Sequence, residues 1–445
     1  MNAKNSKGNS GKRLPNASTS KHLNYQLKND VNFEFYKILS VSTTVALLLL
    51  SNFMGFNLVL FLFNERDRFN DLFYNLQATL QDTFFTSNLN NVNYVYEVTT
   101  GFDYAYFKFL LIFGNDKAAS ARIMILLFVI LFWLIQKISK SFSFSFFLLT
   151  SYPLIFCFFR GHQTMLMAIL FSVFYLLVKK ERNFEASLVL AIMVAHAFPL
   201  FIYGSLFLFK KKIKYFVLTT VLAFLAYIPP FITMGNSFEN NLKILNQVNS
   251  GYLSDYVVND SGSRFNNSIY GLIKTTYYIF QNERYVSKEQ LTISNTAILE
   301  SYTWVVIVLL LIFYTVFVLR SQNFLIYFPN NQYLEELLFG LTLLLILLPH
   351  ISSDYKLVLL LIPIASLYAK DSQLLTRRIF LLIILLLLPK HFIEISFDFS
   401  DARVTIQNIV NPIIELVLFV ATLKFLSTKN LAILKKHSKN RSVTS

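Results

Sequence analysis

The chain contains eleven separate apolar runs, each about as long as a helix that crosses a lipid bilayer. Charged residues, turn residues or polar loops bound them, and together they make up nearly half of the 445 residues. A backbone surrounded by lipid must satisfy its own hydrogen bonds, so we predict helix rather than open strand in each run. The predicted helices cover residues 38–63, 120–136, 141–158, 162–178, 186–209, 215–233, 301–319, 334–349, 355–369, 379–393 and 409–427. This pattern predicts an all-α polytopic membrane protein.

The composition supports this class and excludes several others. Hydrophobic residues make up 55% of the chain and charged residues 15%, against roughly 25% charged in a typical soluble domain. With 12 glycines and 10 prolines, the chain is neither collagen-like nor of low complexity. The single cysteine, Cys157, cannot form a disulfide within the chain.

The distribution of positive charge predicts the orientation in the membrane. The formal net charge is +15, and most of it lies in two tails: residues 1–37 carry seven basic and two acidic groups, and residues 428–445 carry five basic groups and no acidic one. With the N-terminus inside and one crossing for each run except 186–209, 26 of the 40 basic residues fall on the inner side, which is the bias of cytoplasmic segments. We therefore predict one transmembrane domain, 38–427, in the cytoplasmic membrane between two cytoplasmic tails. The tails are predicted to contact anionic lipid rather than nucleic acid.

One apolar segment, residues 184–209, has basic clusters at both ends, at 179–182 and 210–214. A single crossing would place one of these clusters outside. Pro199 lies near the middle of the segment, where proline favours a break in the helix. We predict two half-length helices that enter and leave on the inner side, with the break facing a cavity. A kinked single span is the alternative.

Three long segments are predicted on the outer face, at residues 64–119, 234–300 and 390–408. Loops longer than about 15 residues are usually functional or disordered. These are rich in tyrosine, phenylalanine and isolated charges, so we expect them to be folded and to contain short helices.

The chemistry-bearing groups are predicted to lie at this outer face. The sequence has no phosphate-cradling GxxxxGKS loop and no GxGxxG, HExxH, CxxC or GxSxG motif, so we predict no bound cofactor and no metal. A carboxylate after the first run, such as Asp67 or Asp71, is suited to act as a general base on a hydroxyl, and nearby arginines can bind a phosphate. A solvated, charged turn is the alternative interpretation. One such arginine is Arg160, just after the run 141–158. Its alternative interpretation is an interfacial side chain that only extends toward water.

The order of several motifs resembles a known family. An aspartate soon after the first run is followed by GHQT at 161–164, KKER at 179–182 and AHAFPLF at 195–201, then by NNSIYGL at 266–272 and LPHISSDYKLVLLLIP at 348–363. Over roughly residues 60–370 this order is similar to the polyprenyl-phosphate-sugar-dependent glycosyltransferases of the GT-C fold, in particular to glycosyltransferase family 87.

The resemblance implies a GT-C-like bundle of about eleven transmembrane helices. It implies an inverting enzyme that moves a hexose, such as mannose, from a polyprenyl-phosphate donor to a lipid-linked or envelope glycan on the outer face. In that family the base is an aspartate of the first outer loop, which matches Asp71 best, with Asp67 as the rival. One carboxylate suffices, because a phosphate leaving group departs without protonation.

The resemblance also implies which residues bind the substrates. The predicted contacts to the donor phosphate are Lys356, His350, Arg160 and His162. The predicted further substrate contacts are Asp354, Tyr355, Asn266, Arg264 and His196. Alternatives remain open: His196 could be a packing residue, and Asn266 and Arg264 could belong to a solvated loop. The family's usual Gly-Gln-Asn is Gly161-His162-Gln163 here, which leaves the donor sugar and lipid open.

Two other functions are compatible with the sequence. A polysaccharide polymerase or ligase of the O-antigen type also has many spans and large outer loops, but it favours outer loops rich in arginine. A flippase of a lipid-linked saccharide would have ionisable residues at mid-membrane depth and internal repeats. Here the ionisable residues concentrate near the predicted outer surface, which favours the transferase.

Overall fold

The computed structural model describes residues 68–80, 101–233, 253–258, 266–281, 288–321, 331–350, 354–390, 394–397 and 400–441, with isolated positions at 37, 38, 41–43, 45, 239, 243, 246, 250 and 352. Most of the predicted first helix lies outside these residues, and so do Asp67 and Arg264.

The described part of the chain is helical apart from one short hairpin. Its first eight helices are α1 (Asn70–Leu80), α2 (Gly101–Leu110), α3 (Lys117–Ser139), α4 (Phe142–Leu149), α5 (Tyr152–Arg160), α6 (Thr164–Lys179), α7 (Asn183–His196) and α8 (Ser205–Phe209). The later helices are α9 (Ile213–Thr233), α10 (Ile269–Gln281), α11 (Lys288–Ser321), α12 (Leu334–Leu347), α13 (Leu361–Ala369), α14 (Arg377–Leu387) and α15 (Gln407–Arg441). Among the described residues, three segments have 3₁₀ geometry, Leu111–Phe113, Phe198–Gly204 and Asp354–Leu360, and Leu253–Val258 is a short π-helix.

Helix α3 illustrates why the protein is a membrane protein. One stripe of this helix is buried in the core, including Ile123, Leu131 and Ile138. Its opposite face is also apolar, with Val129 and Trp133 both 56% exposed. A helix that is apolar on its buried and its exposed faces fits a lipid environment and not water.

Three helical stretches among the described residues are long and apolar enough to span a bilayer: Lys117–Ser139, Gln290–Leu311 and Gln407–Lys429. A fourth span would consist of α4 and α5 together, which are bent by 59° at the break between them. Several other apolar helices are shorter, including α6 and α7. The structure therefore supports a helical membrane protein but not eleven full-length spans in its described part.

The described part of the chain has fewer full-length spans than predicted because local breaks divide several of the apolar runs. The run 141–158 is interrupted at Thr150 and Ser151, and Pro153 then lies in the first turn of α5, where its missing N–H costs nothing. The alternation of serine and phenylalanine from 141 to 147 is helical, as we predicted. Hydrophobicity alone does not reveal such breaks.

The segment 184–209 is broken where Pro199 predicted. Helix α7 ends at His196, Ala197 is extended with φ −142° and ψ 100°, and the chain continues as a 3₁₀ turn into α8. After α8, Nζ of Lys210 lies 3.5 Å from the carbonyl oxygen of Val178, which precedes α7. The segment therefore returns to the end of the bundle from which it started, in agreement with the prediction of a hairpin.

A buried cluster of charges lies at this end, which we call the basic end. It joins α6, α12 and the turn after α13. Glu335 accepts hydrogen bonds from Lys179 and Lys370, both at 3.1 Å, and Glu336 accepts one from Lys370 at 2.8 Å. Tyr175 also donates to Glu335, at 3.1 Å. Three basic segments predicted to be on the inner side, at 179–182, 210–214 and 370, thus meet in one place.

The third predicted outer loop, 390–408, contains strands rather than the short helices we expected. Strand β1 (Glu394–Phe397) pairs antiparallel with β2 (Ser400–Thr405), and the register shifts after Ser396. At the end of the hairpin, Oδ1 of Asn408 accepts a hydrogen bond from the backbone N–H of Thr405 at 2.7 Å. Helix α15 then continues through the predicted span and into the basic tail as far as Arg441.

Candidate functional site

The predicted base Asp71 and the predicted phosphate contact Arg160 are joined directly. Asp71 lies in the first turn of α1, where a carboxylate is favoured by the helix dipole. Its Oδ1 accepts a hydrogen bond from Nη2 of Arg160, the last residue of α5, at 2.9 Å. The side chains of Asp71 and Arg160 are only 15% and 28% exposed. The two residues lie 89 positions apart in the sequence, so the fold alone brings them together.

A tight backbone contact holds the start of α1 against the end of α5. Phe69 has a positive φ of 60°, and its N–H donates to the carbonyl of Phe159 at 2.7 Å. Gly161 has φ 72°, and a Cβ on it would lie 3.0 Å from Cα of Phe69. The glycine is therefore needed twice, for its left-handed backbone and for the close approach.

We expect Gly161→Ala to move Asp71 away from Arg160. The alanine would clash with the backbone at Phe69 and strain a positive φ, so stability should fall by about 1–3 kcal/mol. The matched control is Gly340→Ala, since a Cβ there meets only a side-chain methyl of Thr422 at 3.3 Å. Thermal unfolding in detergent measures the effect, and equal midpoints for the two variants would contradict this role of Gly161.

His162 follows directly after this turn and is held by its neighbour Thr164. Nδ1 of His162 accepts the backbone N–H of Thr164 at 3.1 Å and lies 2.8 Å from the threonine hydroxyl. The proton of the neutral ring is therefore on Nε2, which can donate to an anion. Burial holds the pKa of His162 well below its usual range. The neighbouring charges of His196, Arg160 and Lys356 lower it further.

The charges that lower the pKa of His162 belong to three other residues that we predicted to bind substrate. His196 ends α7, Arg160 ends α5, and Lys356 lies in the 3₁₀ segment that packs against α5 and α6. The charges of all three side chains lower the pKa of the His162 imidazole. Asp354 and Tyr355 belong to the same 3₁₀ segment as Lys356, so the backbone places them next to the site.

His196 has a partner that sequence reasoning missed. Its Nδ1 lies 2.6 Å from Oδ1 of Asp103, which is in the first turn of α2. Asp103 is fully buried, with 0% of its side chain exposed. One indirect signal was present in the sequence, because a histidine at the break of an apolar segment needs a polar partner when buried. It did not indicate which of the carboxylates in the long loop 64–119 would be that partner.

His350 lies in a different environment from the other predicted phosphate contacts. Its Nε2 is 2.9 Å from Oγ1 of Thr303, and its ring is edge-on to Tyr270 and Tyr302 at 5.6 Å each. Burial lowers the pKa of His350. None of these contacts involves Arg160, so the structure does not group His350 with the cluster around His162.

Asn266 lies beside His350 and organises the backbone there. Its amide donates to the carbonyl of His350 at 2.8 Å, and its Oδ1 accepts the N–H of Ser352 at 2.9 Å. Asn267 accepts hydrogen bonds from Gln407 and Asn411 of α15, both at 3.1 Å. These buried amides join the second outer loop, the polar stretch at 350–352 and the last helix. The contacts favour a structural role for Asn266 over a solvated loop.

The cluster of Asp71, Asp103, Arg160, His162, His196 and Lys356 forms the candidate site. It combines two carboxylates, one guanidinium, one lysine amine and two imidazoles. Such a set can bind one anion and can accept a proton from a hydroxyl. Among the described residues there is no group of three or more His, Cys, Asp or Glu side chains that could hold a metal ion.

Comparisons with models of known protein families, with curated proteins and with solved structures found no match for this chain.

Proposed function

We propose that this protein is a membrane glycosyltransferase that moves a hexose from a polyprenyl-phosphate donor to a lipid-linked or envelope glycan. The observation that carries the proposal is the hydrogen bond between Arg160 and Asp71. Arg160 also acts electrostatically on His162, as do His196 and Lys356. A carboxylate beside a cluster of phosphate-binding groups is what this reaction needs. The order of the motifs along the chain, which resembles the GT-C enzymes, supports the same function.

In the proposed reaction the acceptor hydroxyl attacks the anomeric carbon of the donor sugar. Asp71 takes the hydroxyl proton, the new glycosidic bond forms, and the bond between the anomeric carbon and the phosphate oxygen breaks. The electron pair stays on the phosphate, which gains a negative charge. Arg160 and Lys356 stabilise this charge as it develops. The sugar leaves the donor with inversion, because a single displacement occurs.

The position of the cluster fits a substrate with a lipid chain. Helix α6 has 16 residues and joins His162 at one end to Lys179 at the other, a distance of about 24 Å along the helix axis. The cluster therefore lies at the opposite end of this helix from the basic end. We propose that it faces the outer leaflet, in line with the charge distribution of the sequence.

The test is transfer by the purified protein in lipid vesicles. The donors are polyprenyl-phosphate mannose and polyprenyl-phosphate glucose, the acceptor is a membrane-lipid extract, and mass spectrometry detects products. A product heavier by one hexose, formed with a lipid donor but not with a nucleotide sugar, would support the proposal. Movement of a lipid-linked saccharide between leaflets without a new bond would contradict it and favour a flippase. Joining of whole oligosaccharides would instead favour a polymerase or ligase.

A further inference from the structure

One continuous helical segment, residues 354–369, which we call the rod, leads from Lys356 to the charge cluster at the basic end. It consists of the 3₁₀ segment Asp354–Leu360 followed by α13, and Leu360 at the junction has helical φ and ψ of −66° and −23°. Lys356 lies in the first turn of the rod. Lys370 follows its last residue, about 23 Å away along the axis. Because the rod is continuous, a shift of its inner end would also move Lys356.

The middle of the rod is buried on all sides. All residues from 357 to 367 are buried, and all of them are apolar except Ser366. The hydroxyl of Ser366 donates to the carbonyl of Pro363 in the rod itself, at 2.9 Å. Apolar burial holds the rod in the core, but it is non-directional and distinguishes poorly between neighbouring positions along the axis. Buried polar contacts can specify such a position, as they specify register in coiled coils.

The outer part of the rod is longer than an α-helix of the same residues would be. A 3₁₀-helix rises about 2.0 Å per residue against about 1.5 Å in an α-helix, and runs of more than about four residues are uncommon. The seven residues of Asp354–Leu360 are therefore extended by about 3.5 Å relative to α geometry. A contact that fixes the inner end of the rod thus helps to determine where Lys356 lies.

Lys370 makes such a contact at the inner end. Its Nζ donates to Oε2 of Glu335 at 3.1 Å and to Oε2 of Glu336 at 2.8 Å, and both carboxylates are buried in the first turn of α12. The other oxygen of Glu335 accepts a hydrogen bond from Lys179 of α6 at 3.1 Å. Glu335 therefore joins the rod to α6, and the opposite end of α6 begins two residues after His162.

We propose that Lys370 is a positioning residue for Lys356. Its ion pairs fix the rod along its axis, so that the Lys356 amine meets the phosphate of the lipid donor. This inference rests on the proposed function, in which Lys356 stabilises that phosphate. Lys370 thereby acts on donor binding from the opposite end of the bundle without touching the substrate. The buried charges then specify a register in addition to any contribution to stability.

A double-mutant cycle tests the proposal. The dissociation constant of a short-chain polyprenyl-phosphate mannose is measured with purified full-length protein in detergent, for the wild type, the two single variants and the double variant. Lys356→Met should bind about 10- to 100-fold more weakly, the loss of one charge-assisted hydrogen bond. Lys370→Met should bind about tenfold more weakly, because the amine is displaced rather than removed.

The double variant distinguishes positioning from a general structural effect. It should bind within about twofold of Lys356→Met alone, because Lys370 acts through Lys356 and has nothing left to position. Distant, independent sites behave additively instead. A double variant whose loss is the product of the two single losses would therefore overturn the proposal. Donor binding that does not depend on Lys356 would overturn it as well.

Two control variants separate register from stability. Lys370→Arg keeps the charge and can donate to both carboxylates, so it should bind the donor within about threefold of the wild type. Phe207→Ala leaves a cavity in the core at α8, where Phe207 is fully buried, and keeps all contacts of Lys370. Its folded fraction should bind like the wild type. An equal loss of affinity in Phe207→Ala and Lys370→Met would overturn the role of Lys370.

Glu335→Gln tests the same contact if Lys370→Met does not fold. The substitution keeps the shape of the side chain but replaces one carboxylate oxygen with an NH₂ group, which cannot accept a hydrogen bond from a lysine. Since the two oxygens bond to Lys179 and Lys370 separately, one of these bonds is lost. Donor binding should weaken by about threefold with Lys356 present and stay unchanged in Lys356→Met. The same weakening in both backgrounds would contradict the proposal.

The outcomes also separate this proposal from the proposed function. Additive losses in a protein that transfers a hexose would overturn the role of Lys370 and leave the glycosyltransferase intact. Coupled losses in a protein that binds the donor but transfers no sugar would support the role of Lys370 and contradict the transferase.

Discussion

Asp71→Asn should lower the kcat of sugar transfer by about 10²- to 10⁴-fold, which is the usual contribution of a general base. Asparagine has nearly the same shape and can still accept the hydrogen bond from Arg160, which is 2.9 Å long in the wild type. The variant should therefore fold and bind the donor with a similar KM, because only the ability to take the hydroxyl proton is lost. Initial rates in vesicles at several donor concentrations give the two constants separately.

Glu185→Gln is the matched control for this substitution. It is the same exchange of a carboxylate for an amide, at an exposed position where Glu185 pairs with Arg182 at 2.6 Å. It should leave kcat unchanged. If Asp71→Asn keeps full activity, Asp67→Asn is the next variant, because Asp67 is the rival base. Full activity of both variants would contradict the assignment of the base to this loop.

Lys370→Met should lower the free energy of unfolding by about 3 kcal/mol, the loss expected when one partner of a buried ion pair is removed. Glu335 and Glu336 are only 3% and 1% exposed, and Lys370 is bonded to both. Glu335 would keep Lys179, but Glu336 would keep only Ser372 among its partners in the described part of the chain. A buried carboxylate without a cation is costly. Unfolding in a mild denaturing detergent, followed by tryptophan fluorescence, measures the change.

Two further variants test this explanation. Adding Glu336→Gln to Lys370→Met removes the uncompensated charge and should recover part of the stability. Arg182→Met breaks the exposed pair with Glu185, in which both side chains are more than one third exposed, and should cost less than about 1 kcal/mol. Equal losses for Lys370→Met and Arg182→Met would show that burial of the cluster does not matter.

The sequence predicted the helical membrane class and the break near Pro199, because both depend on local composition. It also predicted that the inner basic segments lie on one side, and the structure brings Lys179, Lys210 and Lys370 to one end. The number of full-length spans in the part of the chain that the structure describes was overestimated, since breaks such as the one before Pro153 hardly change the hydrophobicity of a run. The hairpin at 394–405 was missed because short strands in a polar loop have little periodicity.

The candidate site was predicted in part. Asp71, Arg160, His162, His196 and Lys356 were all singled out, and the fold brings them together. Asp103 was missed because its role depends on a contact with a residue 93 positions away. His350 was grouped with the phosphate contacts through its motif, whereas its ring packs between Tyr270 and Tyr302. A motif shows which residues lie near a site but not the direction in which each side chain points.

Residues 183–209 leave one end of the helix bundle and return to it, so they do not connect its two ends. The first and last residues of this segment lie side by side, since Lys210 reaches the carbonyl of Val178. Cysteines introduced at Arg182 and at Lys212 would therefore react with a membrane-impermeant thiol reagent from the same side of the vesicle. A count of crossings that includes this segment as a full span would assign the opposite sidedness to everything after it.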